Sequence, residues 1–342
     1  MRIAFAGRGE AKLSGGMIMA VLIGNEMQRQ GHEPVYLTER PAADWTGVEF
    51  PHRPGSVDRA EDLAGLDAVI TGWDCVGPAL EAGVPVVAHL CAGYEPDLWP
   101  ARRAELEAAY RLPTLKLVIA PHLRDRLRED LGLDSVVVGA PVNLEAFHPR
   151  SVPPRGEGAP LRVLTVGPEP DGPFAPVPFK GIAQVLEIVE RARDAGADLE
   201  LVRLTPKEDR FVGSEVVDEL HVGVPPASVP EIYRSCDVYL GASTRAEGLG
   251  MPALEAACSG LALILPEIPS FAEIDELRRG ARLYPAGATD AAADRLVRLA
   301  GEQRRAAGAA TPFDREQLIA RFAPAAVATR TLAAIQSALP TG

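Results

Sequence analysis

Two glutamates, Glu247 and Glu255, sit in the run STRAEGLGMPALEAACSG at residues 243–260, behind the short apolar segment Val238–Leu240. The apolar segment reads as a strand and the run after it as the opening of a helix. Pro252 falls in the first helical turn, where a missing N–H leaves no bond unmade. Glu247 then stands just before the helix and Glu255 within its first turns. Gly248 and Gly250 let the backbone approach a ligand closely, and the unpaired N–H groups of a helix start attract an anion. A carboxylate on such a helix can accept two hydrogen bonds from a ribose diol. The arrangement fits a nucleoside diphosphate, with phosphates at the glycines, ribose at Glu255 and the diphosphate's substituent near Glu247. A solvated surface helix can also carry two glutamates. The coincidence of a strand, Gly248-Leu249-Gly250 and Pro252 in one place favours the binding site.

Such a site needs a scaffold, and the chain reads as two alternating halves. Arg2–Gly7 is an apolar strand and Arg8–Gly16 a loop. Met17, Val21, Leu22 and Met27 share a helical face closed by Gly31, and Val35–Thr38 is a second strand. Strand–helix–strand units build parallel sheets. Further apolar runs recur at Ala68–Thr71, Val84–Ala88, Leu115–Ala120 and Val136–Val138, and runs apolar on both faces suit buried parallel strands. The stretch Arg150–Pro160, rich in proline, glycine and charge, is the linker candidate. Alternation then restarts with strands at Leu161–Val166, Leu199–Leu204, Glu219–Val222, Val238–Leu240 and Leu261–Leu265. Ile182, Val185, Leu186, Val189 and Ala192 form one helical face, and Asp314–Leu339 is a helical tail that Pro324 should kink or split. The expected architecture is α/β: two Rossmann-like doubly wound domains, residues 1–150 and 151–312, facing each other across a cleft. The helical segment 313–342 would cross back to the first. Ligands in such sheets bind outside the carboxyl ends of the strands.

Composition narrows the function further. The 342 residues carry a formal charge of −12, which disfavours nucleic acid as a partner. A small anionic ligand remains compatible where the local field is positive. The longest apolar stretches, such as Leu261–Leu265, fall far short of the roughly 20 residues of a membrane span. The opening MRIAFAG has no long apolar core behind a basic start, so no secretory signal is read. Cys75, Cys91, Cys236 and Cys258 are widely spaced and read as reduced thiols of a cytoplasmic protein. No His-Glu-x-x-His pattern or paired His/Cys spacing points to a metal, and no Gly-x-Ser-x-Gly or P-loop pattern to a hydrolase or triphosphatase.

The run EGLGMPALEAACSG, residues 247–260, resembles the signature of retaining glycosyltransferases of family 4, which have the GT-B fold. The resemblance extends to VPEIYRSCDVYL at residues 229–240, to Phe179-Lys180-Gly181, to Gly15-Gly16 and to Val142-Asn143 through Phe147-His148-Pro149. It implies that Glu255 binds the donor ribose, that Glu247 contacts the donor sugar near the reacting carbon, and that Lys180 binds the diphosphate. Gly15, Gly16, Arg245, Gly248, Leu249 and Gly250 complete the implied donor site. A lysine and a helix terminus can stabilise the departing diphosphate in a pocket that excludes water, so no metal and no cofactor is required. The nucleotide-sugar is then a co-substrate. The acceptor would be a small molecule or a glycan, bound mainly by the first domain.

One position departs from the family pattern. An arginine usually follows the glycine that ends the first strand of the second domain, whereas this chain has Gly167-Pro168-Glu169. Arg245 and Arg203 are the candidate substitutes. In the first half, His89 ends the run Val84–Ala88 and would face the cleft as a catalytic or contact residue; a core histidine is the competing reading. Tyr94-Glu95-Pro96 resembles a stretch of rhamnosyl-transferring relatives and hints at a deoxysugar donor. With Trp99, Tyr94 and Glu95 form the candidate acceptor contacts; Trp73 and His122 are further candidates. Two other classes stay in view. A non-catalytic relative would explain Pro168. An NAD-dependent oxidoreductase would use Gly7-x-Gly9 and Glu39, but Lys12 stands where a third glycine belongs. The sequence fixes no oligomeric state.

Overall fold

The computed structural model describes residues 1–8, 15–41, 47–149, 158–170, 176–303 and 313–340. The chain divides into two units, Met1–Asn143 with Ala320–Gly342, and Leu144–Ile319. The first unit holds strands β1 (Arg2–Ala6), β2 (Glu33–Thr38), β3 (His52–Pro54), β4 (Ala68–Thr71), β5 (Val86–Cys91), β6 (Leu115–Val118) and β7 (Val136–Val137). They form one parallel sheet in the order β3-β2-β1-β4-β5-β6-β7. The registry runs Ala4 against Val35 on one side and Val69 on the other. Both sheet faces are dry, as unbroken apolar strands require. On one face Ile3, Phe5 and Ile70 meet Ile23 and Met27 of helix Gly15–Arg29 and Val327, Leu332 and Ile335 of helix Pro324–Ala338. On the other, Ala4, Leu37 and Val69 meet Leu63, Val76 and Ala79.

The second unit repeats the plan with β8 (Leu161–Val166), β9 (Leu199–Thr205), β10 (Glu219–Val222), β11 (Val238–Leu240), β12 (Ala262–Glu267) and β13 (Arg282–Pro285). Their order is β10-β9-β8-β11-β12-β13, again all parallel. Val163, Leu201, Val238 and Ile264 pack with Val185, Ile188 and Val189 of helix Ile182–Asp194 and with Ala292 and Leu296 of helix Thr289–Gln303. In each sheet the chain reverses its direction of winding beside the first strand, so a crevice opens at the carboxyl ends of β1 and β4, and of β8 and β11.

The unit boundaries differ from residues 150 and 312. The 3₁₀ turn Leu144–Ala146 and Phe147 belong to the second unit, because Phe147 packs edge-on against Tyr233 at 5.1 Å. Arg315 donates to the Phe147 carbonyl at 2.9 Å. The tail is split where Pro324 requires it, into helices Arg315–Phe322 and Pro324–Ala338, with Ala323 at φ −55° and ψ 132°. Arg315–Ala338 has the length and apolarity of a membrane span. It is nonetheless two helices, and Val327, Ala328, Leu332 and Ile335 are spent on the first unit's core. The linker centre, residues 150–157, and the loop residues Gly9 and Lys12 lie outside the described residues.

Candidate functional site

The loop after β11 is pinned from two sides. The Thr244 N–H donates to the Phe179 carbonyl at 2.8 Å, and the Ser270 hydroxyl to the Glu247 carbonyl at 2.6 Å. Gly250 then starts helix Met251–Cys258 with φ +74°, and a Cβ there would stand 2.3 Å from the Phe271 ring. Only glycine fits both the left-handed backbone and the contact. The cap residue supplies no side-chain hydrogen bond, so the first-turn N–H groups keep no side-chain partner from it.

Lys180 reaches this loop because Gly181 lies flat against it. Gly181 has φ +66° and caps helix Ile182–Asp194, and a Cβ would fall 2.1 Å from the Ala242 carbonyl oxygen. The close approach brings Lys180 Nζ to 2.7 Å from Glu247 Oε2, across 67 residues of sequence. The same oxygen accepts the Ser243 hydroxyl at 2.8 Å. The Lys180 and Glu247 side chains are 15% and 7% exposed, so the pair is nearly dry. Eight residues on, Glu255 Oε2 accepts the Tyr233 hydroxyl at 2.5 Å. Burial raises the Glu255 carboxyl above its ordinary range, against the Tyr233 bond and the Lys180 charge. Its remaining lone pairs suit a vicinal diol.

Glu169 behaves unlike a surface carboxylate. It is 1% exposed, accepts the Ile182 N–H at 3.3 Å and pairs with Arg210 at 3.0 Å. Its own N–H donates to Asp209 at 2.7 Å, and Asp209 pairs with Arg203, both side chains being fully buried. Burial opposes ionisation of Asp209. The Arg203 guanidinium and the N–H groups of Glu169 and Phe211 outweigh it and hold that carboxyl below its usual range.

The structure brings Lys180, Glu247, Gly248, Leu249, Gly250 and Glu255 to the loops and helix behind β8 and β11, and adds Ser243 and Tyr233. Both additions stand in the motif segments, but nothing in their types marks them. Arg245 is exposed on the same loop. Arg203 is corrected as a substitute cation, since it is locked inside against Asp209. Gly15 and Gly16 begin helix Gly15–Arg29, and residues 9–14 of their loop lie outside the described residues.

The first unit corrects three expectations. His89 is not at a strand end: β5 runs on to Cys91, so the ring lies inside the sheet layer. It is 0% exposed, 4.6 Å from the Tyr110 ring, and neither nitrogen has a partner among the described residues. Burial, with a smaller push from Lys116, lowers its pKa to about 3 and keeps it neutral. Tyr94 is buried, with Arg126 stacked 5.3 Å from its ring, rather than open to an acceptor. Glu95 accepts the Tyr110 hydroxyl, and burial pushes its carboxyl up to about 7. Trp99 is partly buried at the end of helix Glu95–Leu98, and Trp73 lies under Arg102. His122 is partly buried in helix Pro121–Leu131.

Residues 172–302 match the family model described as Glycosyl transferases group 1. No curated protein matches the sequence. Among solved structures, the chain resembles sucrose-phosphate synthase from Thermosynechococcus elongatus, with TM-score 0.71, 14% identity and 98% of each chain covered. It resembles HepE from Anabaena, solved with UDP and glucose, with TM-score 0.74, 12% identity, and 98% and 100% of the two chains covered. It also resembles AviGT4, a glycosyltransferase involved in avilamycin A biosynthesis, with TM-score 0.64, 15% identity, and 99% and 98% covered. The fold is therefore that of GT-B glycosyltransferases, two parallel-sheet α/β domains.

Proposed function

We propose that this chain is a glycosyltransferase that moves a sugar from a nucleoside-diphosphate sugar to an acceptor hydroxyl with retention of configuration and without a metal. The observation that carries the reading is the dry Lys180–Glu247–Ser243 cluster beside the start of helix Met251–Cys258. The group 1 family match over residues 172–302 covers the same segment. HepE was solved with UDP and glucose, which makes a uridine donor the first to test.

In this reading the helix start and Lys180 hold the diphosphate, and Glu255 accepts the ribose hydroxyls. Arg245 and Gly248 through Gly250 complete the donor site on the second unit. Departure of the diphosphate builds negative charge on its oxygens. Lys180 and the helix N–H groups stabilise that charge more than they stabilise the bound donor. Glu247 gains a second task, because a carboxylate near the anomeric carbon orients the sugar and offsets oxocarbenium charge. The acceptor hydroxyl attacks on the face the diphosphate leaves, and a phosphate oxygen takes the proton. No protein base is needed. The acceptor is a small molecule or a glycan, the former in keeping with the biosynthetic role of AviGT4. The transferred sugar is a hexose or deoxyhexose.

Calorimetric titration of UDP, dTDP, GDP and ADP, with EDTA and with Mg²⁺, tests the reading. One diphosphate should bind in the micromolar range, about −8 kcal/mol, whether or not Mg²⁺ is present. Glu247→Gln should then abolish transfer and leave diphosphate binding within about threefold of the parent. Loss of binding by all four diphosphates refutes the donor site. Binding without transfer or donor hydrolysis would make the chain a non-catalytic nucleotide-sugar binder.

A further inference from the structure

Three cation–anion pairs gather behind β8, β9 and β11, and they differ in what their cations can do. Arg203 and Asp209 are sealed at 0% exposure. Lys180 and Glu247 are nearly dry. In the third pair the carboxylate is sealed but the cation is not: Glu169 is 1% exposed and Arg210 54%. Charge within the three pairs cancels, so they give a diphosphate no net attraction until one cation changes partner.

The third pair is the one whose cation already reaches solvent and can swing to a new partner. Glu169 also accepts the Ile182 N–H, so it keeps a partner if Arg210 turns away. Arg210 projects from a fixed backbone, because its neighbour Asp209 is held by Arg203 and by the N–H groups of Glu169 and Phe211. Its guanidinium rests on the Phe211 ring at 4.8 Å and contributes a single donor atom to Glu169, its other N–H groups making no further hydrogen bond among the described residues. The carboxylate that tethers it sits at the start of helix Ile182–Asp194, two residues past Lys180.

We propose that Arg210 is a second diphosphate cation of this chain and that Glu169 positions it. The assignment rests on the donor reading above. Glu169 fills the start of helix Ile182–Asp194, so the phosphates use the other helix start, Lys180 and Arg210. The charge of Arg210 reaches the phosphates only when they draw it from Glu169.

The test compares the tightest of UDP, dTDP, GDP and ADP with its free nucleoside, the latter followed by ligand-observed NMR, across wild type and three variants. Arg210→Ala should weaken the diphosphate by about tenfold or more, the worth of a charge-assisted hydrogen bond, and leave the nucleoside unchanged. It should also flatten the salt dependence of diphosphate binding. Arg210→Lys should fall between. Glu169→Gln keeps the acceptor for Ile182 but frees the guanidinium, and should tighten the diphosphate severalfold. An unchanged diphosphate affinity in Arg210→Ala, or equal loss for nucleoside and diphosphate, overturns the assignment while leaving the donor reading intact. Failure of wild type to bind any diphosphate overturns the donor reading, and the assignment with it.

Discussion

Replacing Lys180 with methionine should unbalance the site in a measurable way. The substitution keeps most of the apolar stem but leaves the Glu247 carboxylate, 7% exposed, with Ser243 as its one remaining side-chain partner among the described residues. Breaking a buried pair on one side typically costs about 3–5 kcal/mol, since the other charge stays desolvated. Ser243 and the residual solvent contact put Lys180→Met at the low end, about 3 kcal/mol. In a unit of this size that is roughly 6–12 °C in melting temperature. Glu247→Gln retains an acceptor for both Lys180 and Ser243 and should cost about 1–2 kcal/mol. The double variant removes both charges and should cost little more than Glu247→Gln alone, giving a coupling of about 2–3 kcal/mol. Scanning calorimetry is the right assay. Trp73 and Trp99 lie in the first unit, so their fluorescence would report the wrong sheet. Strict additivity of the two single changes, within about 0.5 kcal/mol, would refute the contact as a feature of the unliganded protein.

Other outcomes follow from the same geometry. Gly181→Ala forces a Cβ to 2.1 Å from the Ala242 carbonyl at φ +66°, so it should cost more than about 2 kcal/mol and, by displacing Lys180, weaken diphosphate binding in calorimetry. Glu255→Gln should lower affinity for a ribonucleoside diphosphate about tenfold and erase its preference over the 2′-deoxy form; a preserved preference would remove Glu255 from the ribose. The Glu95 carboxyl, pushed up to about 7 by burial, contributes stability that is complete below its unfolded value and is lost as pH rises through 7. Glu95→Gln should therefore gain about 1–2 kcal/mol on wild type between pH 5 and 8, less than the full shift implies because the group is partly exposed. His89 has the opposite sign: its pKa near 3 means stability complete above about 6.5 and lost on acidification. His89→Phe should raise the melting temperature, most of all near pH 5, and leave transfer unchanged; a stable but inactive variant would restore His89 to the chemistry.

Parallel strands buried on both faces write themselves into the sequence as unbroken apolar runs, and β1, β4, β8 and β12 were legible for that reason. β3 and β13 were not. His52–Pro54 and Arg282–Pro285 lie at sheet edges, where half-exposed positions carry histidine and arginine and no run forms. The segment of the site within one loop and one helix, Glu247 through Glu255, was equally legible because glycine and proline mark its turns. Contacts between segments were not. Ser243 and Tyr233 are ordinary residues until the fold brings them to the two glutamates. His89 misled because the strand runs on through Leu90 and Cys91; two further residues are enough to move a ring from a strand end to the inside of a layer.

The charge of the whole chain and the charge of its site make separate arguments. A formal −12 should repel a diphosphate at long range, yet at physiological salt that field is screened beyond about 8 Å. On the proposed assignment, what a phosphate meets at contact is set by Lys180, Arg210 and the start of helix Met251–Cys258. In the unliganded protein each of these cations is already answered by a glutamate, Glu247 or Glu169. Such pairing keeps Lys180 in place without leaving it uncompensated in a nearly dry pocket, where an unpaired charge would cost several kcal/mol. It also sets a condition on the ligand. A neutral sugar or a nucleoside gives the cations no reason to change partners, whereas two linked phosphates do. On that assignment selectivity for the diphosphate follows from the glutamates as much as from the cations, and neutralising Glu169 should loosen it toward monophosphates as it tightens binding overall.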